Sequence, residues 1–339
     1  MAQEINLDGR SILISGGTGS FGQAFVDYVL ANYKPRRLIV FSRDETKQHE
    51  MALRLDASKH PCLRFFIGDI RDLGRLEMAM RDVEIVVHAA ALKIVPVAEY
   101  NPFECIATNI YGSENIIRAA IRNNVSKVLA LSTDKAVNPA NHYGATKLAA
   151  EKLFVAANNL SGDKGTRFVV TRYGNVVGSR GSVVPLYARL IKEGAKDLPI
   201  TDERMTRFWI TITQGVQFVL TSLEMMNGAE IFIPKLQSTL MTDVVKAMAP
   251  NLPTRIIGIR PGEKLHELLI SQDDLRSTFE LEDRYIIRPE LIFWHSADVP
   301  MLGDRLVDEN FQYVSNNESL LMPIAGLRKL LTLTGFLEG

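Results

Sequence analysis

Residues 11–30, SILISGGTGSFGQAFVDYVL, constrain this chain more than any other stretch. The short apolar run SILIS passes directly into three glycines, Gly16, Gly19 and Gly22, and these open an amphipathic stretch with helical spacing. A strand that turns into a helix through small residues gathers free backbone N–H groups and the positive end of the helix dipole at one point, where an anion can approach the backbone. A glycine triplet alone marks a tight turn. At the head of a strand–helix series it marks a cradle for the pyrophosphate of a dinucleotide, with Thr18, Ser20 and Phe21 in the same turn.

The series follows. Apolar runs recur at SILIS (11), RLIVFS (37), LRFFIGD (63), VEIVVHAA (83), KVLALS (127) and RFVVTRYGN (167), separated by longer amphipathic segments. This alternation predicts parallel βαβ units, and the nearly unbroken apolarity of VEIVV and KVLAL suits strands covered on both faces. The expected fold class is α/β, a Rossmann-like doubly wound parallel sheet with a smaller mixed α/β substrate domain. After about residue 175 the rhythm breaks into the Gly/Pro-punctuated pieces GSRGSVVP, EGAKDLPI, IRPGEKLHE and IIRPE. The expected division is 1–175 for the dinucleotide and 176–339 mostly for the substrate, with some later segments returning to the first domain. A polar, loop-rich tail from about 298 to 324 precedes an apolar helical pattern, GLRKLLTL.

Composition removes several function classes. Lys+Arg and Asp+Glu both total 39, so no net field favours nucleic acid or an anionic membrane. No uncharged apolar run reaches the roughly eighteen residues of a membrane span, and the opening MAQEINLDGR has no signal-like apolar core. Cys62 and Cys105 have no paired spacing, and the cytoplasm is the expected compartment. The six histidines are dispersed without a ligand pattern, so no metal is expected.

The end of the second strand run selects the dinucleotide. An acidic residue there suits a ribose 2′-hydroxyl, and a basic group suits a 2′-phosphate. The run reads FSRDETKQ. Ser42, Arg43 and Lys47 favour NADP, because a guanidinium fork and an ammonium match a phosphate; Asp44 pulls toward NAD. Asp69 and Ile70 in GDIRD are placed for the adenine, and Ala89, Ala90 and Ala91 in HAAALK for close passage of the cofactor.

The chemistry concentrates in STDKAVNPANHYGATK, residues 132–147. Tyr143 and Lys147 are one helical turn apart and project from one face. A phenol ordinarily loses its proton near pH 10, but a nearby ammonium and a positive nicotinamide ring favour the phenolate, which can deprotonate a secondary alcohol as hydride leaves. With the glycine turn, this pair resembles the extended short-chain dehydrogenase/reductase family over roughly residues 10–270. Four motifs in order, STDKAVNPANHYGATK, RYGNVVGSRGSVVP, TRFWIT and PGEKLHE, resemble the UDP-N-acetylglucosamine 4,6-dehydratases. Tyr143, the chain length and the lack of membrane helices resemble the soluble, C5-inverting subgroup that opens pseudaminic acid synthesis.

That resemblance implies roles. Nucleotide-sugar 4,6-dehydratases carry Thr-Asp-Glu after the fifth strand, holding O4, protonating the departing C6 hydroxyl and taking the C5 proton. Here the residues are Thr133, Asp134 and Lys135, so a lysine stands where the base is a glutamate. The expectation is a neutral Lys135, its pKa lowered by Lys147, the oxidised ring and burial, with a protonated, buried Asp134. The same resemblance nominates Lys93 and Asn109 near the sugar, Asn175 at the diphosphate, Arg180 on the substrate, and Met205, Thr206, Arg260 and Glu263 around UDP. It also implies a homo-oligomer. The alternatives are a C5-retaining UDP-N-acetylglucosamine 4,6-dehydratase, and a nucleotide-sugar 4-epimerase, which would use Tyr143 and Lys147 and leave Asp134 and Lys135 idle; a non-enzymatic dinucleotide-binding scaffold would use none of them.

Overall fold

The computed structural model describes residues 3–163, 165–290, 302–303 and 305–337. Part of the expected polar tail, 298–301 and 304, lies outside the described residues. Each apolar run becomes a strand: β1 (Ser11–Ser15), β2 (Arg37–Ser42), β3 (Leu63–Ile67), β4 (Ile85–His88), β5 (Lys127–Thr133) and β6 (Arg167–Tyr173). They pair in parallel in the order 3-2-1-4-5-6.

The connecting segments form α1 (Ser20–Asn32), α2 (Glu45–Arg54), α3 (Leu73–Ala79), α4 (Val95–Tyr100), α5 (Pro102–Ile106), α6 (Gly112–Arg122) and α7 (His142–Ser161). A π-helical turn, Ala107–Tyr111, joins α5 to α6. Alternate strand residues face opposite helix layers, as the two-residue period of a strand requires. Leu13, Val86, Val128 and Val170 pack with Ile116, Ile117 and Phe154 on one side of the sheet. Ile12, Ile14, Val87 and Val169 pack on the other with Phe25, Val26 and Val29 of α1.

Beyond β6 come β7 (Asn175–Val176), α8 (Val183–Lys192), β8 (Leu198–Ile200), β9 (Thr206–Ile210), α9 (Ile212–Met225), β10 (Ile231–Pro234), β11 (Gln237–Leu240), α10 (Met241–Met248), β12 (Thr254–Ile256), β13 (Thr278–Glu280), β14 (Arg284–Ile287), β15 (Arg305–Leu306) and α11 (Ile324–Leu333). β10 joins β6 in parallel, and β14, β13 and β15 extend the sheet antiparallel, giving ten strands among the described residues. α9 packs beside α1. Two small sheets, β11-β9-β7 and β12-β8, stand apart with α8, α10 and α11 around their own core of Val184, Tyr187, Val244, Val245, Leu327 and Leu331.

Strand order reverses between β1 and β4. At such a switch point the connections leave in opposite directions and open a crevice at the carboxyl ends of the strands. Among the described residues, no helix is long and apolar enough to cross a membrane.

Candidate active site

A cleft of about 830 Å³ starts at this crevice and runs to the small sheets. Every residue named above for the cofactor borders it. Gly16 has φ +68°, and a Cβ there would lie 2.8 Å from the backbone nitrogen of Ala90, so the turns after β1 and β4 touch. At Gly22 a Cβ would come within 2.4 Å of the Gly17 Cα, which brings the start of α1 down onto the turn. The cradle exists because side chains are missing from it; the Gly16, Gly17 and Gly19 nitrogens bond to the carbonyls of Phe41 and Gly16, and the first turn of α1, which has no side-chain cap, suits the pyrophosphate of a dinucleotide.

At its outer end Asp44 caps α2, accepting from the Lys47 backbone nitrogen at 2.9 Å and from Lys47 Nζ. Lys47 holds the Asp44 carboxyl below its usual range, and Arg180 adds to this across the cleft. Asp44 is therefore engaged with Lys47, while the Arg43 guanidinium stands 3.7 Å from Asp69. Burial opposes ionisation of Asp69, but three hydrogen bonds from Arg71 and its charge outweigh it and hold that carboxyl below its usual range.

At the inner end β5 delivers Thr133 and a 3₁₀ turn, Asp134–Ala136. Asn141 caps α7 by accepting from the Gly144 nitrogen at 2.7 Å. That cap fixes the first turns of α7, so Tyr143 and Lys147 both face the cleft and are buried. Lys147 Nζ donates to the Leu131 carbonyl at 2.8 Å, and burial lowers its pKa to about 8. Burial pushes the Tyr143 phenol up to about 12, against the charge of Lys135 and a hydrogen bond with Thr133. The expected lowering of Tyr143 by Lys147 is thus corrected: desolvation outweighs the neighbouring groups that favour the phenolate.

The expectation for Lys135 is corrected too. Burial alone would discharge it, but Asp134 Oδ1 at 3.0 Å and Glu267 Oε1 at 3.5 Å outweigh that and raise its pKa to about 12. Lys135 is a cation here. Asp134 is fully buried and does not border the cleft; its Oδ1 takes the Thr133 hydroxyl at 2.9 Å and Lys135 Nζ, while Oδ2 has no hydrogen-bond partner. Ser132 Oγ and Glu267 Oε2 are likewise buried without partners, and both residues border the cleft.

Lys93, Asn175, Arg180, Met205, Arg260 and Glu263 border the cleft as well. The Asn175 side chain accepts from Lys135 Nζ at 3.2 Å and so orients the lysine. Desolvation lowers the Lys93 pKa, and the charge of Lys135 adds to it. Arg260 and Glu263 pair across their turn at 3.6 Å.

Two nominated residues turn away from the cleft. Asn109, in the π-turn, exchanges hydrogen bonds with the backbone of Leu92 and donates to Thr146 Oγ1 at 3.0 Å; it ties the loop after β4 to α7 and is corrected from a sugar contact to a strut. Thr206 Oγ1 is occupied by His266 Nδ1 at 2.9 Å and Ser315 Oγ at 2.7 Å, so it too is internal. The residue that sequence reasoning passed over is Glu267, the last letter of PGEKLHE. Arg207, in TRFWIT, was passed over with it; its Nε lies 3.7 Å from Glu267 Oε1. Side-chain direction in the irregular segment around Glu267 is not periodic and leaves no signal, and the alternation of the strand that carries Arg207 says which face it is on but not which partner it meets.

Residues 12–289 match the profile of a family described as polysaccharide biosynthesis protein. The chain is 56% identical, over 97% of its length and 98% of the relative's, to a protein of Campylobacter jejuni subsp. jejuni serotype O:2 named UDP-N-acetylglucosamine 4,6-dehydratase (inverting). It is 42% identical, over 92% of each chain, to a protein of Rickettsia bellii named UDP-glucose 4-epimerase. Among solved structures, the X-ray structure of Pen from Bacillus thuringiensis matches with a TM-score of 0.88 at 36% identity, covering 97% of this chain and 100% of that one.

Proposed function

The chain belongs to the polysaccharide biosynthesis protein family, and from that premise we propose that it is an NADP-dependent UDP-N-acetylglucosamine 4,6-dehydratase, a hydro-lyase that inverts C5. The observation that carries the reading is the buried group Lys135, Asp134 and Glu267 beside the Tyr143–Lys147 pair. An alcohol oxidation needs only the latter pair. Removing a hydrogen from carbon and expelling water needs a second base and an acid.

A C5 hydrogen is removable only once C4 is a ketone. NADP+, when bound, supplies the acceptor for the C4 hydride and later its donor to C6. Tyr143 takes the O4 proton; Lys135, discharged, takes the C5 proton. For the proton of the departing O6, Asp134 must first gain a proton; the hydrogen bond that Thr133 Oγ1 donates to Asp134 Oδ1 then reverses, and Thr133, which borders the cleft, relays that proton to O6. Thr133 also bonds Tyr143, so the proton taken from O4 can be passed on to restore Asp134. Met205, Arg260 and Glu263 are read as holding UDP, with Asn175 at the diphosphate and Lys93 near the sugar. Arg43 and Lys47 form the positive rim that favours the 2′-phosphate of NADP; Arg180, expected on the substrate, acts on Asp44 at this rim and is read as part of it instead.

The product would be UDP-2-acetamido-2,6-dideoxy-β-L-arabino-hex-4-ulose, opening pseudaminic acid synthesis. The same reading includes a cytoplasmic homo-oligomer. Incubation with UDP-N-acetylglucosamine should lower substrate mass by one water, and deuterium at C4 should appear in the new methyl group. The 42% identity to a protein named as a 4-epimerase favours a second reading, in which mass is unchanged. An unlabelled methyl group would overturn the hydride route.

A further inference from the structure

If Lys135 is to act as a base, it must first lose a proton, and the charges around it work against that. Glu267 stands where such a proton can go. Its backbone is pinned from both sides by Ser315, whose nitrogen donates to the Glu267 carbonyl at 2.9 Å and whose Oγ accepts from the Glu267 nitrogen at 2.9 Å. Arg207 faces the carboxylate from β9, and its guanidinium is itself fixed by the carbonyls of Thr206, Leu265 and Lys264. Oε1 lies 3.5 Å from Lys135 Nζ, and Oε2 is buried beside the cleft with no hydrogen-bond partner. A carboxylate oxygen so placed is costly to keep ionised and is relieved by gaining a proton.

Resting on the dehydratase reading, we propose that Glu267 is the positioning residue that receives a proton from Lys135 and so makes the amine that takes the C5 proton. Dehydratases that use glutamate as this base have a carboxylate after the fifth strand. Here that place is a lysine, and the carboxylate comes from the opposite wall of the cleft. The balance closes. Lys135 ammonium and Glu267 carboxylate become amine and carboxylic acid. The amine takes the C5 hydrogen as a proton, leaving its electron pair in the enolate of the 4-ketone, and is an ammonium again. When C5 is reprotonated from water, the Glu267 proton neutralises the hydroxide and the ion pair is restored.

The charged groups facing Glu267 are Lys135 and Asp134 from the turn after β5, Arg207 from β9 and Lys264 from its own segment. Desolvation raises the Glu267 pKa, the lysine and arginine charges oppose this, and the net direction is upward, which favours its taking a proton. The chemistry tolerates a shared proton because the pair, not either residue, titrates.

The test is Glu267→Gln in the full-length protein with UDP-N-acetylglucosamine and NADP. An amide cannot take the proton, so kcat at pH 7 should fall at least about a hundredfold with KM within about threefold. Reduced nicotinamide should still form, because C4 oxidation does not use Glu267. The variant's kcat should then climb about tenfold per pH unit from 7 to 9 as solvent discharges Lys135, while the wild type stays flat. A variant with wild-type kcat, or a loss that is the same at every pH, overturns the proposal. Glu267→Asp guards against a misfolded amide variant: it should lose about tenfold in kcat and keep the flat wild-type profile, and an undiminished kcat overturns the idea. Wild-type protein that never dehydrates the sugar would instead refute the dehydratase reading itself.

Discussion

Lys135 is a cation in the folded protein, and this changes what its removal should do. Lys135→Ala deletes the proposed base and leaves Asp134 and Glu267 facing each other without their shared cation. Dehydration should fall by about 10²–10⁴, while NADP binding, measured by titration, stays within a factor of two. Undiminished turnover would remove Lys135 from the mechanism. Tyr143→Phe should stop the earlier step, so that no reduced nicotinamide forms on mixing with substrate. Lys147 has a consequence for stability. Its pKa is about 8 in the fold and 10.5 ordinarily, so between these values the unfolded chain holds the proton that the folded chain has released. Folding stability contributed by this group therefore rises with pH across that window and is flat below it. Melting temperatures of the wild type, set against Lys147→Met, should gain on the variant from pH 8 to 10; a constant difference would contradict the burial argument. Tyr143, Lys147, Asp134 and Lys135 were legible because they crowd one short stretch. The directions of Asn109 and Thr206 were not, since a polar side chain facing a cleft and one bonded internally look alike in sequence.

At the level of elements, the six parallel strands could be read from the chain because strands buried on both faces have to be apolar along their length. The strands added after β10 could not, since short antiparallel pieces find partners by register across long separations. The turn between β1 and α1 was legible for a steric reason that also yields a prediction. Gly22 lies where a Cβ would meet the Gly17 Cα at 2.4 Å, a backbone contact that cannot rotate away. Gly22→Ala must push the start of α1 off the turn, at a cost of about 1–3 kcal/mol in stability. The same shift widens the cradle, so affinity for the proposed cofactor NADP, measured by calorimetric titration, should drop about tenfold or more. An alanine variant that binds NADP like the wild type would show that the helix start is not what holds the pyrophosphate.

Over the whole molecule, the division expected near residue 175 remains a proposal about which part binds which ligand, and stability follows a different map. The core beside α6 and α7 includes Leu269, Ile270, Leu275, Tyr285, Val307 and Tyr313 together with Val128 and Val170 of the sheet. A buried ion pair binds the same parts: Arg172 on β6 bonds Glu151 on α7 at 2.7 Å, and reaches the Leu269 carbonyl and Asp274 in the late segment. Glu151 and Arg172 are both nearly inaccessible to water. Removing the cation strands a buried carboxylate, which typically costs about 3–5 kcal/mol, more than a surface pair could. Because Arg172 touches sheet, helix and late segment at once, that cost falls on all of them. Arg172→Ala should therefore melt in one calorimetric transition at lower temperature. Glu267 follows directly after the pocket loop and lies two residues before Leu269, so the same substitution should weaken UDP-sugar and NADP binding together. Two separated transitions, with NADP binding preserved in the upper one, would mean that the late segment is an appendage to the sheet and that the Lys135–Glu267 contact is free to open.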